Sequence, residues 1–148
     1  MPNVSLIASA TINAKPEAVF AYVADLTKHG EWSANQLTIE AVSTSPSIIG
    51  NQYHSIATVR GITLTAELRV TKYQAPVCFG FDGQDSTGKF SHQFTFTPFN
   101  NGTKVVRKID FALSLPEWFF FLVTYFPVRR PAANKALRLL KQHFEQTV

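Results

Sequence analysis

Two polar residues, His92 and Arg107, lie in stretches of sequence that alternate like β-strands. The residues that share a side with them are Phe90, Phe94 and Phe96 on the first stretch and Val105, Ile109, Phe111 and Leu113 on the next. Successive side chains of a strand point to opposite faces of a sheet, so each set lies on one face. We therefore predict that His92 and Arg107 point inward among aromatic side chains.

An inward arginine restricts what can surround it. Burying an unpaired guanidinium costs free energy, so we expect Arg107 to have a carboxylate partner, backbone acceptors, or a ligand with an anionic or carbonyl group. The alternative is that Arg107 lies at a strand end and extends its charged group to solvent. For His92, one alternative is a core histidine bonded to a hydroxyl or backbone group, and the other is a general acid or base.

Three further side chains are candidates for the wall of a binding site. Tyr53 and His54 occupy opposite faces of a strand, and the mixed pattern leaves open which of them points inward to donate a hydrogen bond to a ligand oxygen. Trp32 is either a cavity wall or an ordinary core residue. Glu67 and Arg69 share the polar side of their strand, which indicates a solvated face.

Several kinds of functional site have no counterpart in the sequence. It contains no glycine-rich phosphate loop, no His-Glu-x-x-His motif, no Gly-x-Ser-x-Gly elbow and no paired inward carboxylates. The four histidines fall on different predicted elements, and Cys78 is the single cysteine, so we expect no metal site and no cofactor. Basic residues concentrate near the C-terminus without interleaved aromatic residues, so we predict no nucleic-acid partner.

The composition indicates one domain with a very apolar interior. The chain has 148 residues, of which 45% are hydrophobic and 16% are charged, and it contains 13 Phe. This length allows one core, and the composition excludes a disordered chain. The N-terminus lacks the basic stretch of a secretory signal, and no apolar run reaches the ~20 residues that cross a bilayer, so we predict a cytoplasmic protein.

The hydrophobic pattern predicts seven strands and a long C-terminal helix. A helical region opens at Pro16 and ends near Gly30. Residues 131–148 have the apolar stripe of an amphipathic helix. Turns are expected at residues 83–88 and at Asn100-Asn101-Gly102. The predicted strands are residues 4–13, 37–43, 52–60, 62–73, 77–82, 89–99 and 103–115.

This order of elements predicts an α+β fold. Two short helices follow strand one, and a curved sheet of seven antiparallel strands wraps around the long C-terminal helix. Because a large antiparallel sheet twists and curls, its contact with the helix is incomplete. We therefore expect a cavity between the helix and the sheet.

Motifs along nearly the whole chain are shared with one known superfamily. They comprise Pro16, Glu17, Ala18, Val19, Phe20, Val23, Asp25, Trp32, Gly50, Gly61, Pro76, Phe90, Ser91, His92, Thr97, Pro98, Gly102, Thr103, Leu137, Leu140, Lys141 and Glu145. With these residues the sequence resembles the helix-grip superfamily, which includes START domains, Bet v 1-like plant proteins and bacterial polyketide cyclase/dehydrase-like (SRPBCC) proteins. The bacterial branch is the most similar, since the glycine-rich loop of the plant group is absent. The resemblance implies a helix-grip fold that binds lipids, sterols, quinones or polyketides, with only some members being catalysts.

Two functional hypotheses concern the expected cavity. In the first, the protein binds a hydrophobic small molecule, such as a polyketide, lipid or isoprenoid, between the C-terminal helix and the sheet. In the alternative, the protein is a polyketide cyclase or dehydratase in which His92 acts as a general acid or base and Arg107 stabilises a developing enolate. The residues expected to contact the ligand are Trp32, Tyr53, Phe90, His92, Phe94, Phe96, Arg107 and Phe111.

A third hypothesis concerns an apolar block, residues 118–126, which begins at Trp118, ends at Phe126 and is followed by Arg129 and Arg130. One interpretation is a short helix that lines the cavity or packs under the rim of the sheet. The other is a hydrophobic lip that contacts a membrane surface or a second subunit, as in a peripheral lipid or quinone carrier or a homodimer. Both interpretations predict the same composition, so they stay open.

Overall fold

One antiparallel sheet forms the framework of the protein. The computed structural model describes residues 3–43, 45–46, 48–59, 61–86, 88–113 and 130–146. The helices are α1 (Pro16–Val23), a 3₁₀ helix (Leu26–Glu31) and α2 (Arg130–Gln146). The strands are β1 (Asn3–Ile12), β2 (Gln36–Ser43), β3 (Gln52–Val59), β4 (Ile62–Gln74), β5 (Cys78–Asp85), β6 (Gly88–Phe99) and β7 (Gly102–Leu113).

The seven strands follow the order β1-β7-β6-β5-β4-β3-β2, and every neighbouring pair is antiparallel. Strands β2 to β7 form a meander in which each strand pairs with the next one along the chain. The first strand instead pairs with the last strand. The predicted α+β arrangement is confirmed, including two short helices after β1 and a helix at the C-terminal end.

The turn between β6 and β7 forms at the predicted Asn-Asn-Gly sequence. Asn100 and Asn101 have positive φ angles of 47° and 64°, and Phe99 pairs with Gly102. Positive φ at both central residues is typical of a type I′ turn, whose twist matches that of the flanking strands. This turn sets the register of β6 against β7, and both candidate polar residues lie on these two strands.

The turn predicted at residues 83–88 is wrong in its length. β5 continues to Asp85 and β6 begins at Gly88, so the connection between them is short. Gly83 is part of the strand and pairs with Phe90. A Cβ atom at Gly83 would lie 2.3 Å from two carbons of the Phe90 ring. The glycine therefore makes room for an aromatic ring on the sheet, where the sequence pattern suggested a loop.

Both α-helices contribute apolar faces to one core. Pro16 occupies the first turn of α1, where its missing N–H has no intrahelical acceptor to lose. The buried residues of α1 are Val19, Phe20 and Val23. Those of α2 are Ala133, Ala136, Leu137 and Leu140. Four further phenylalanines, Phe79, Phe81, Phe94 and Phe96, contribute to the remaining core.

The apolar block 118–126 lies outside the described residues. Its roles as cavity lining, membrane contact or homodimer contact therefore stay predictions. Within residues 3–113 and 130–146, apart from the positions omitted above, no helix is long and apolar enough to cross a bilayer.

Candidate functional site

The register of β6 and β7 places His92 and Arg107 beside each other on the sheet. Arg107 pairs with Phe94, and His92 pairs with Ile109. Phe94 and Ile109 are both buried in the core. Paired residues of neighbouring strands point to the same face, so His92 and Arg107 face inward, as their alternation predicts.

The Arg107 guanidinium lies against two aromatic rings and has one described hydrogen-bond partner. Its Nη2 donates to Nδ1 of His92 over 3.0 Å. Its Cζ lies 5.5 Å from the ring centroid of Trp32 and 5.3 Å from that of Phe94, within the range of cation–π contacts. The Nε atom is buried and has no hydrogen-bond partner. Arg107 therefore stays inside the fold, in the middle of β7, and does not extend to solvent at a strand end.

The protonation states of this pair follow from burial. Burial lowers the pKa of Arg107 to about 10, which leaves the guanidinium charged at neutral pH. Burial, together with the charges of Arg107 and His29, holds the pKa of His92 well below its ordinary value. Since an arginine N–H can only donate, Nδ1 of His92 accepts, and the proton of the neutral ring is on Nε2.

His29 lies next to this pair, a placement that the sequence pattern does not predict. We call His29, Trp32, His92 and Arg107 together the cluster. The side chain of His29 is buried, and its Nε2 donates to the carbonyl oxygen of Val23 over 2.7 Å. Burial is the main cause that lowers the pKa of His29 to about 4. Leu26, His29 and Trp32 recur at a spacing of three residues, which aligns side chains on a 3₁₀ helix. That spacing was the signal in the sequence that could have found His29.

Trp32 is a core residue whose ring contacts His29 and Arg107 of the cluster. It is 1% exposed, and its ring contacts that of His29 at a centroid distance of 4.7 Å and that of Phe94 at 6.0 Å. Its Nε1 is buried without a hydrogen-bond partner. A buried indole N–H normally has a hydrogen-bond partner. Trp32 is thus a core residue whose N–H donor is unused among the described residues.

Four neighbouring residues of the inner sheet face are only half-buried. They are Phe90, His92, Arg107 and Phe111, which we call the inner patch. Phe90 pairs with Phe111 across β6 and β7, and its ring centroid lies 5.4 Å from that of His92. The inner patch thus combines two apolar rings with a guanidinium and an imidazole.

Phe94 and Phe96, which were also expected to contact a ligand, are closed off in the core. Phe94 is 0% exposed and Phe96 is 3% exposed. Phe94 lies against the Arg107 guanidinium. Phe96 packs edge-on against Phe20 of α1 at a centroid distance of 5.2 Å. Phe94 therefore supports the inner patch from the core side, whereas Phe96 joins the sheet to α1.

The strand register also decides between Tyr53 and His54. Tyr53 pairs with Leu68, a core residue, and packs against the core. His54 pairs with Glu67 on the opposite face, where its Nδ1 donates to the Glu67 carboxylate over 2.8 Å. Tyr53 is therefore the inward residue of the two. Glu67 and Arg69 are both exposed, as expected for a solvated face.

An open depression of about 710 Å³ lies along β4 to β7, and most of its lining is charged or polar. Glu67, Arg69, Asp82, Lys89 and Asp110 contribute to it. Here Oγ of Ser91 donates to Asp82 over 2.6 Å. Phe90 and Phe111 of the inner patch also line this depression, so charged side chains and apolar rings border the same open space.

Solved structures share this fold over nearly their whole lengths. A protein of Thermus thermophilus superposes with a TM-score of 0.78 and 16% identity, over 97% of this chain and 99% of that one. The Bet v 1-type allergen Ara h 8.0201 gives a TM-score of 0.71 and 13% identity, over 98% and 99% of the two chains. A protein of Rhodobacter sphaeroides gives 0.72 and 18%, over 96% and 93%. The predicted helix-grip fold is therefore confirmed.

The sequence also matches a defined family. No curated protein matches the chain. A family profile described as "Polyketide cyclase / dehydrase and lipid transport" matches residues 3–145. The match covers the strands of the sheet, both inward polar residues and nearly all of α2. This chain therefore belongs to the polyketide cyclase/dehydrase and lipid transport family.

Proposed function

We propose that the protein binds a hydrophobic small molecule, of the polyketide, lipid or isoprenoid class, against the inner patch between α2 and the sheet. The observation that carries this proposal is the partial burial of Phe90, His92, Arg107 and Phe111 on a face whose other side chains are mostly buried. Inward side chains that keep accessible surface are available to a bound molecule. The description of the family supports the same class of ligand.

The two ends of such a molecule would meet different surfaces. Phe90 and Phe111 would cover its apolar part, since burying apolar surface contributes roughly 25 cal/mol per Å². Arg107 and His92 would donate hydrogen bonds to its oxygen atoms. Sites for small molecules commonly combine a mainly apolar wall with a few polar groups that fix orientation.

A polyketide cyclase or dehydratase is the second candidate, and the contact between Arg107 and His92 favours it. Arg107 would stabilise a developing enolate oxygen, and His92 lies next to it. Nδ1 of His92 accepts the hydrogen bond from Arg107, so the Nε2–H is the ring group that is left to interact with a substrate. His92 would therefore begin a reaction as a donor or general acid, and would become a base only at Nε2 after losing that proton.

Mass spectrometry of the purified protein tests the binding function. We expect the native protein to carry an additional mass, and its organic extract to contain an apolar molecule. Arg107→Leu should reduce the amount of that molecule, whereas the control Lys104→Leu, at an exposed position of the same strand, should not. A wild-type protein that is empty and also fails to bind added fatty acids and aromatic polyketides would contradict the proposal.

A further inference from the structure

We infer that the small molecule bound at the inner patch carries an acidic group, and that its anionic oxygen binds Arg107. This inference rests on the proposed binding function and narrows it to one class of ligand. The class comprises apolar molecules that end in a carboxylate or in an acidic enol or phenol. Neutral sterols, hydrocarbons and alcohols lie outside it.

The positive charge of Arg107 has no counter-charge among the described residues. The ion pairs of this part of the chain join other residues, and none includes Arg107. Asp25 is the acid whose charge acts on His29 in this cluster. Its carboxylate already accepts from the backbone N and the Oγ1 of Thr27, over 3.1 and 2.5 Å, where it caps the 3₁₀ helix.

The remaining polar groups of the cluster do not supply a negative charge. Among the described residues, Glu67, Asp82 and Asp110 point to the opposite face of the sheet from His92 and Arg107. There they accept hydrogen bonds from His54, Ser91 and Ser5 respectively. Both histidines of the cluster have lowered pKa values and are neutral at neutral pH. The four side chains His29, Trp32, His92 and Arg107 therefore hold one net positive charge, and Asp25, at the start of the 3₁₀ helix, acts on His29 from outside this set.

The unused hydrogen-bonding groups of this cluster are mainly donors. Nε of Arg107 and Nε1 of Trp32 are buried without partners. Nε2 of His92 carries a proton because Nδ1 accepts from Arg107. Only Nδ1 of His29 has an accepting lone pair, since Nε2 donates to Val23. An incoming group would satisfy this set best as an acceptor.

A charged acceptor suits the cluster better than a neutral one. A ketone, an alcohol or a trapped water can accept a hydrogen bond from a guanidinium but leaves its charge uncompensated. A carboxylate accepts two parallel bonds from arginine and also neutralises it. The attraction between the two opposite charges adds to these hydrogen bonds and is weakly screened in a partly buried site, so the preference for an acid is measurable.

Two matched pairs of probes test this inference on the full chain. The first pair is 1-pyrenebutyric acid and 1-pyrenebutanol, and the second is dodecanoic acid and dodecanol, each titrated near neutral pH by fluorescence or calorimetry. In at least one pair we expect the acid to bind about tenfold or more tightly than its alcohol. Arg107→Gln should remove this difference, Arg107→Lys should keep part of it, and the control Lys104→Gln, at an exposed position of β7, should leave it unchanged.

The outcomes separate the two proposals. Equal binding of acid and alcohol by the wild-type protein would overturn the acidic ligand and leave hydrophobic binding in place. Retention of the full acid preference in Arg107→Gln would overturn the role of Arg107. Absence of binding by all four probes would overturn the binding function, and the inference would fall with it. The wild-type comparison decides the question even if Arg107→Gln does not fold.

Discussion

The Nη2 atom of Arg107 donates to Nδ1 of His92 over 3.0 Å, so the two inward polar residues of the sheet form one unit. The contact joins neighbouring strands β6 and β7 and fixes the tautomer of the imidazole. Arg107 in turn rests on the rings of Trp32 and Phe94. The hydrogen bond to His92 and the contacts with these two rings thus fix the position of the guanidinium charge.

Replacing Arg107 with leucine should change ligand binding much more than stability. The substitution removes a buried charge whose Nε has no partner, but it also removes packing against Trp32 and leaves Nδ1 of His92 without its donor. These effects oppose each other, so we expect a change within about 1 kcal/mol in the free energy of unfolding. Urea denaturation measures it. A loss of several kcal/mol would show that Arg107 is chiefly structural.

The protein should lose stability as the pH falls from about 6.5 to about 4. The pKa of His29 is about 4 in the folded protein against an ordinary value of 6.5, so the unfolded chain takes up the proton first. The contribution of neutral His29 to the free energy of unfolding is complete above pH 6.5. It decreases by at most about 1.4 kcal/mol for each pH unit below 6.5. His92, whose pKa is also lowered, adds in the same direction.

Urea unfolding of His29→Gln at several pH values checks this prediction. Glutamine retains an N–H that can donate to the Val23 carbonyl but does not titrate. The slope of stability against pH should therefore become shallower by roughly one proton between about pH 6.5 and pH 4. His54→Gln, on the opposite face of the sheet, is the control. Identical slopes in wild type and His29→Gln would contradict the assignment.

Gly83→Ala should destabilise the protein through its effect on Phe90. The new Cβ would lie 2.3 Å from the Phe90 ring and 2.8 Å from Cδ2 of Leu68, so the ring has to move. We expect a loss of about 1–3 kcal/mol in the free energy of unfolding, together with altered ligand affinity. In a Phe90→Ala background the same substitution should cost less by about 1 kcal/mol. An equal cost in both backgrounds would exclude this contact as the cause.

Tyr22 should stabilise the end of α2 through its ring more than through its hydroxyl. Its ring stacks on that of His143 at 4.1 Å and meets that of Phe144 edge-on at 5.6 Å, while its hydroxyl donates to Glu31 over 3.0 Å. Tyr22→Phe should cost about 0.5–1.5 kcal/mol. Tyr22→Ala should cost about 2 kcal/mol or more and increase hydrogen exchange in α2. Equal effects of the two substitutions would contradict this division.

The sequence predicted the parts of the site that depend on strand alternation. His92 and Arg107 face inward because a period of two assigns their faces directly. The sequence does not show which of Tyr53 and His54 points inward, because apolar and polar residues do not alternate regularly in their strand. Their cross-strand partners, Leu68 and Glu67, decide it. A cross-strand partner is a long-range property that the local pattern does not contain.

Two further features depend on contacts between distant segments. His29 lies in a 3₁₀ helix of six residues, too short for a strong periodic pattern, and reaches the cluster only because this helix packs against the sheet. Gly83 resembled a turn residue because the reason for the glycine, the ring of Phe90, sits on the neighbouring strand. In both cases the deciding contact is tertiary.

The pairing of β1 with β7 gives this fold a late closing step. Ser5 and Asp110 are bonded although 105 positions separate them along the chain, whereas the strands from β2 to β7 join through successive hairpins. Closing so long a loop costs more entropy than forming a hairpin, and non-local pairing slows folding. During synthesis the strands of the meander can pair one after another, whereas β1 can pair only after β7 has been made. Because α2 packs against β1, the docking of this helix on the sheet also depends on that late pairing.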